Sequence, residues 1–168
     1  MCRYVPFTPM DAAVISERIA TVWARTSLDD EGQGVTLGIE VTATGEFVGD
    51  VMLFWHSREH RGGEIGYVIN PDFGGHGYAT EAVRRLLGLA FDDLGLHRVT
   101  ARVDARNEAS ARLARRLGMR QEAYLVRNEW FKGEWTDEVD FALLEDEWAA
   151  DSKKMTRPRT RRNGSETA

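Results

Sequence analysis

The chain has 168 residues, 42% hydrophobic and 29% charged, with a net charge of −5. That describes one globular domain able to bury its own core. A single cysteine, Cys2, excludes a disulfide framework and fits a reducing compartment, so a cytoplasmic setting is expected. No apolar run approaches the ~20 residues of a membrane span, and MCRYVPFTP lacks a signal-peptide core.

Charge is unevenly spread. Residues 151–168 hold six Lys or Arg against Asp151 and Glu166, a local +4 that leaves −9 on residues 1–150. Residues 1–150 are read as the domain. The basic tail reads as solvated and disordered rather than as a nucleic-acid arm. An acidic body is compatible with a cationic partner such as an amine.

Taken in order, Thr8-Pro9-Met10-Asp11 reads as a helix start, with Thr8 capping and Pro9 at the first helical position. Ile15, Ile19, Val22 and Trp23 make one apolar stripe on this helix, which fades near Thr26. After the polar loop LDDEGQG, the runs GVTLGIEVT and EFVGDVMLFWHS form a hairpin around Ala43-Thr44-Gly45. EIGYVI (64–69) is a third, buried strand. A helix over about 77–94 turns Val83, Leu86, Leu87, Ala90 and Leu94 inward and stops at Gly95. HRVTARVDA alternates as a strand, and Asn107 caps a helix that stops at Leu117-Gly118. QEAYLVRNEWF and EVDFALLEDEW read as two strands around the turn at Lys132-Gly133. The fold class is therefore α+β, with a mixed, mostly antiparallel sheet flanked by helices.

The chemistry concentrates in residues 70–87, NPDFGGHGYATEAVRRLL. A strand, a glycine-rich turn and a helix start make a seat for an anion. The first helical turn leaves N–H groups unpaired, its dipole favours negative charge, and glycines allow close approach. An ordinary capped turn is the plain alternative. No Lys-Ser/Thr follows the last glycine, so this is not a Walker A loop, and Thr80 stands where a GxGxxG fingerprint needs glycine.

GGHGYATEA resembles the acyl-CoA pyrophosphate loop of the GNAT superfamily of N-acetyltransferases, Gln/Arg-x-x-Gly-x-Gly/Ala. Gly77 and Ala79 match the last two fixed positions, and Gly74 departs from the first. ARNEASARLARRLGMRQEA resembles the second signature, Asn-x-x-Ser/Ala followed by an amphipathic helix and Leu-Gly-Phe/Met. With GEIGYVINP before and FALLEDEW after, the wording is most similar to the branch that acetylates ribosomal-protein N-termini. That branch opens with a strand and a helix that have no counterpart ahead of RYVPFTPMDAAVISERIA. The strand around 35–41 is then expected at a sheet edge, covered by a loop or by a second copy of the chain.

The resemblance implies acetyl-CoA as cofactor and a primary amine as acceptor, favourably a protein or peptide N-terminal α-amine. A polyamine, antibiotic or amino acid is the alternative acceptor, and a non-catalytic acyl-CoA-binding module the alternative class. Main-chain groups of Gly74, Gly75, His76, Gly77, Tyr78, Ala79 and Thr80 would clamp the pyrophosphate. Backbone groups of Tyr67, Val68 and Ile69 would pair with pantetheine and polarise the thioester, although their side chains read as plain core. Asn107 would cap its helix and touch the cofactor arm.

Glu64 would act as general base, the alternative being a solvated strand end, with its pKa raised by partial burial. Ser110 would donate to the leaving sulfur, or simply pack. The acid Tyr that many members carry stands at the position of Ala114 here and is missing, and Tyr124 is a distant substitute. The four histidines show no ligand spacing, so no metal is expected.

Overall fold

Six strands form a single sheet: β1 (Gln33–Glu40), β2 (Phe47–Ser57), β3 (Gly62–Ile69), β4 (Arg98–Asp104), β5 (Arg120–Phe131) and β6 (Glu134–Leu144). The helices are α1 (Ala12–Thr21), α2 (Tyr78–Gly88), α3 (Glu108–Arg116) and α4 (Glu145–Thr156). The computed structural model describes residues 2–4, 10–21 and 23–156. The strand order is β1-β2-β3-β4-β6-β5, with β3–β4 parallel and every other pair antiparallel. The expected mixed, mostly antiparallel sheet is thus observed, and β1 stands at its edge.

Strand alternation assigns the two faces of the sheet. Val35, Val51, Leu53, Ile65, Val99, Ala101, Val103, Val139, Phe141 and Leu143 join the α2 and α3 residues Val83, Leu86, Leu87, Ala111, Leu113 and Ala114 in one buried cluster. The opposite face carries Asp50, Met52 and Phe54 of β2, Glu64 of β3 and Arg102 of β4 (positions one residue out of step with the buried set). It is left open enough that Met52 and Phe54 are exposed. One face makes the core and the other is available to substrate.

Helix α2 follows the expected inward set, but its regular part ends at Gly88 and a π-helical turn, Leu89–Asp93, carries it to the stop at Gly95. Two expectations are corrected. EVDFALLEDEW is not one strand to Trp148: β6 ends at Leu144 and α4 begins at Glu145. Three acidic residues in its first turn suit a helix N-terminus, and Glu147 Oε2 accepts from the Leu144 amide at 2.8 Å as a reciprocal cap. Trp148 then stacks on Phe91. The helix runs to Thr156, and residues 157–168 lie outside the described set.

At the front, the Thr8 cap lies outside the described residues. Helix α1 starts at Ala12, and Asp11 Oδ1 caps it by accepting from the Val14 amide at 2.9 Å. Val22 of the expected stripe lies outside the described residues, and the part that is described is not core. No residue of α1 is buried, and Ile15 and Ile19 are exposed.

An ion network ties the far end of the sheet together. Glu122 of β5 is held by Arg98 of β4 and by Arg120, which also reaches Glu147 of α4. These guanidinium hydrogen bonds hold the Glu122 pKa down at about 2, against an ordinary 4.5. A carboxyl lowered by folding stabilises above its unfolded pKa and loses that contribution as pH falls through its folded one. Glu122→Gln is expected to cost about 1 kcal/mol at pH 7, the usual ceiling for a solvent-screened pair. The gap to wild type should narrow between pH 4.5 and 2 in urea titrations. In the core, Leu87, with no exposed surface, should lose about 2–5 kcal/mol on Leu87→Ala by the same measurement.

Candidate active site

β3 ends at Ile69, and the chain turns through Asn70, whose Oδ1 accepts from the Asp72 amide at 3.2 Å, into a 3-10 turn over Pro71–Phe73. The Gly74 amide donates to the Pro71 carbonyl at 2.9 Å. Beyond it, the amides of residues 75–80 find no acceptor among the described residues, since the first bond of α2 runs from the Glu81 amide to the Gly77 carbonyl at 3.0 Å. Gly77, at the N-cap, has φ 87° and offers no side chain to cap the helix. A β-carbon on Gly75 or Gly77 would meet nothing within 4 Å, so the bare amides open onto free space. Unpaired N–H groups and the positive helix end converge here on a place for phosphate.

Two side chains dress this loop. The His76 ring stacks on Tyr78 at 5.7 Å and 18°, with Nδ1 3.4 Å from the Phe73 carbonyl. Arg116, in the last turn of α3, donates to Thr80 Oγ1 at 3.3 Å and so brings a cation beside the anion seat. Sequence reading did not single out Arg116. The run ARLARRLG shows its charge but not which element that helix end faces.

The second feature is a gap in the sheet. β3 and β4 pair only over Gly62–Arg98, Gly63–Val99 and Glu64–Thr100. From residue 65 onward the β4-facing edge of β3 has no strand partner, and Tyr67 reaches across to donate from its hydroxyl to the Ser110 carbonyl at 2.9 Å. A cavity of about 380 Å³ fills the gap, lined by Glu64, Tyr67, Val68, Asn107 and Ser110, with Phe131 on the far wall. Asn107 Oδ1 accepts from the Ser110 amide at 3.2 Å, which makes it the α3 cap, and it lines the cavity as well. The loop at 74–80 does not line the cavity but follows directly from the strand that does.

Of the candidate proton carriers, Glu64 is in the cavity but engaged. Both its oxygens accept from Arg102 Nε at 3.2 Å, and His56 Nε2 lies 3.2 Å from Oε2. Burial pushes the Tyr67 hydroxyl up to about 12. That hydroxyl ties β3 to the start of α3 through the Ser110 carbonyl. The Ser110 side chain also hydrogen-bonds the Tyr67 hydroxyl, which moderates that rise. Ala114 is fully buried, and Tyr124 is exposed, donating to Asp137 Oδ2 at 2.6 Å away from the cavity.

Sequence reasoning missed two carboxylates in the cavity wall, Asp50 and Glu138, both raised in pKa by burial. Glu138 accepts from Asn128 Nδ2 at 3.1 Å, whereas Asp50 accepts from no group among the described residues. Among those residues no three His, Cys, Asp or Glu side chains gather as a metal site requires.

The family model described as an acetyltransferase (GNAT) domain matches residues 1–120, and the chain belongs to that family of acetyl-CoA-dependent N-acetyltransferases. It is 36% identical over 101 residues to an uncharacterized N-acetyltransferase, YnaD, of Bacillus subtilis, covering 60% of this chain and 59% of that protein. A putative ribosomal N-acetyltransferase of the same organism, YdaF, is 31% identical over 140 residues, covering 83% and 74%. The spermidine N(1)-acetyltransferase of Escherichia coli K12 is 27% identical over 113 residues, covering 67% and 61%. A solved probable acetyltransferase superposes with a TM-score of 0.74 at 32% identity, over 84% of this chain and 78% of the other.

If phosphate sits on the amides at 75–80, Gly77→Asp places a carboxylate against it. At an effective dielectric near 20 the repulsion is about 4 kcal/mol at contact. CoA affinity, by calorimetry, should fall at least about a hundredfold. The left-handed φ adds a folding cost of only about 1–2 kcal/mol, so the variant should still melt cooperatively.

Proposed function

We propose that this chain moves an acetyl group from acetyl-CoA to a primary amine that enters from the open sheet face. The observation carrying this reading is the continuity of two main-chain deficits: an uncapped helix end at 75–80 and an unpaired strand edge at 65–69. They offer one path for a ligand with a diphosphate at one end and an amide-bearing arm at the other. On this reading the pantetheine arm pairs along Tyr67, Val68 and Ile69, the thioester reaches the gap, and Ser110 Oγ donates to the departing sulfur. Asn107 holds the start of α3 in place beside it.

The walls on the acceptor side carry Asp50, Glu64, Glu129 and Glu138 against Arg102. That excess of carboxylates favours an acceptor arriving as a cation. A protein or peptide N-terminal α-amine is the favoured acceptor, supported by the alignment with YdaF over 83% of the chain. A polyamine is the second reading, supported by the same carboxylates and by the spermidine-acetylating relative.

Thiol release from acetyl-CoA, followed against a panel of basic peptides, polyamines, aminoglycosides and amino acids, tests both. Release is expected only with an amine present and fastest with a basic peptide carrying a free N-terminus. A faster rate with spermidine selects the second reading. Tight CoA binding without release across the panel would reject catalysis and leave a cofactor-binding module.

A further inference from the structure

We propose that Asp50, rather than Glu64, is the catalytic proton acceptor. The inference rests on the acetyl-transfer reading above and adds to it a residue on a different strand. Asp50 sits opposite Val68 in the β2–β3 register, on the same sheet face as Glu64. Opposed residues in an antiparallel pair keep their β-carbons about 5 Å apart. The Asp50 carboxylate therefore stands beside Val68, in the stretch of β3 that the acyl-pantetheine arm would follow to the gap.

The backbone holds it there closely. Gly49, the residue before it, lies so near β3 that a β-carbon would come within 2.1 Å of the Val68 carbonyl oxygen. Asp50 lines the cavity, is partly buried, and has no hydrogen-bond partner among the described residues. An unpaired carboxylate with reduced solvation is a competent base, and burial accordingly raises its pKa.

Glu64 is built for another task. With both oxygens on Arg102 Nε and a histidine nitrogen at 3.2 Å, its negative charge is already matched, and taking a proton would break that pairing. Glu138, the other cavity carboxylate raised by burial, lies on β6 across the gap and is occupied by Asn128. The charged and titratable groups that line the cavity with Asp50 are Tyr4, Glu64, Tyr67, Arg102, Asp104, Glu129 and Glu138.

The step balances as follows. The acceptor ammonium first gives one proton to solvent; its nitrogen then attacks the thioester carbonyl carbon, forming the C–N bond and sending the carbonyl π pair to oxygen. The nitrogen proton passes to the Asp50 carboxylate. The carbonyl reforms, the C–S bond breaks with its pair leaving on sulfur, and Asp50 returns its proton to solvent.

Steady-state rates across pH for wild type, Asp50→Asn, Asp50→Glu and Glu64→Gln test this, with CoA affinity and melting temperature measured in each. Asp50→Asn should lower kcat at least about a hundredfold, in line with loss of a general base. It should lose the acid limb of the kcat profile while keeping CoA affinity and fold, and Asp50→Glu should restore the limb in part. Glu64→Gln should keep the limb. A rise in KM for the amine with kcat intact in Asp50→Asn would make Asp50 a substrate anchor and overturn the inference. So would loss of the limb in Glu64→Gln alone. A wild type that releases no thiol with any amine would instead bring down the acetyl-transfer reading, and the inference with it.

Discussion

A strand that leaves its neighbour exposes a row of N–H and C=O groups, and an interior row left unmatched costs on the order of 1–3 kcal/mol per group. β3 does this after Glu64, where its pairing with β4 stops. The same chain segment then enters α2 through a turn whose amides at 75–80 are also unmatched. Two main-chain deficits in succession, with a 380 Å³ cavity at the first, are difficult to account for except as a bed for a ligand that supplies the missing partners. Because the bed is main chain, it depends on backbone path more than on side-chain identity. Gly74 can therefore stand where relatives of this loop carry Gln or Arg without removing any amide from the seat.

What keeps the gap open is the packing behind it. The sheet falls into two ribbons, β1-β2-β3 and β4-β6-β5, joined by three residue pairs. The core cluster does not divide with them: α2 packs against β2 and β3, α3 against β4 and β5, and the two helices touch. Each ribbon is thus fastened to its own helix, and the separation at the gap follows from how closely those helices approach. Small residues on α3, Ala111 and the fully buried Ala114, permit that approach. A tyrosine at Ala114 would have to displace this packing, which gives a physical reason for the acid common in the family to be missing here.

The parts of the site legible in the sequence were those built from contiguous residues. The glycine loop, the Asn107 cap and the inward stripe of α2 announce themselves through φ preference, capping chemistry and 3.6-residue period. The parts that were not legible depend on which elements meet. Nothing local in EIGYVI says that its pairing stops after the first residue of that run, and nothing in GDVMLF marks Asp50 as a cavity wall. The run FALLEDEW misled because its apolar half belongs to a strand and its acidic half to a helix start, a change of period within eight residues. The α1 stripe misled for the opposite reason: the period is helical, but no α1 residue is buried among the described residues.

The distribution of charge in the cavity follows from the same two-ribbon construction. Arg102 belongs to the β4 ribbon and Glu64 to the β3 ribbon, and their contact spans the join near the last paired residues. An ion pair there acts as a clasp where backbone hydrogen bonding ends, and it draws the cavity's cation to Glu64. Asp50 lies four residues along β2 from Phe54, the partner of Glu64, and so stands past the clasp, on the strand behind β3 rather than at the gap itself. Its neighbours in the sheet are Gly38 of β1 and Val68 of β3, neither of which carries a group to pair with it, so among the described residues the carboxylate is left partly desolvated and unmatched. Separation of β3 from β4 thus leaves a bare backbone edge, and the glycine and valine beside Asp50 leave an unpaired acid on the neighbouring strand.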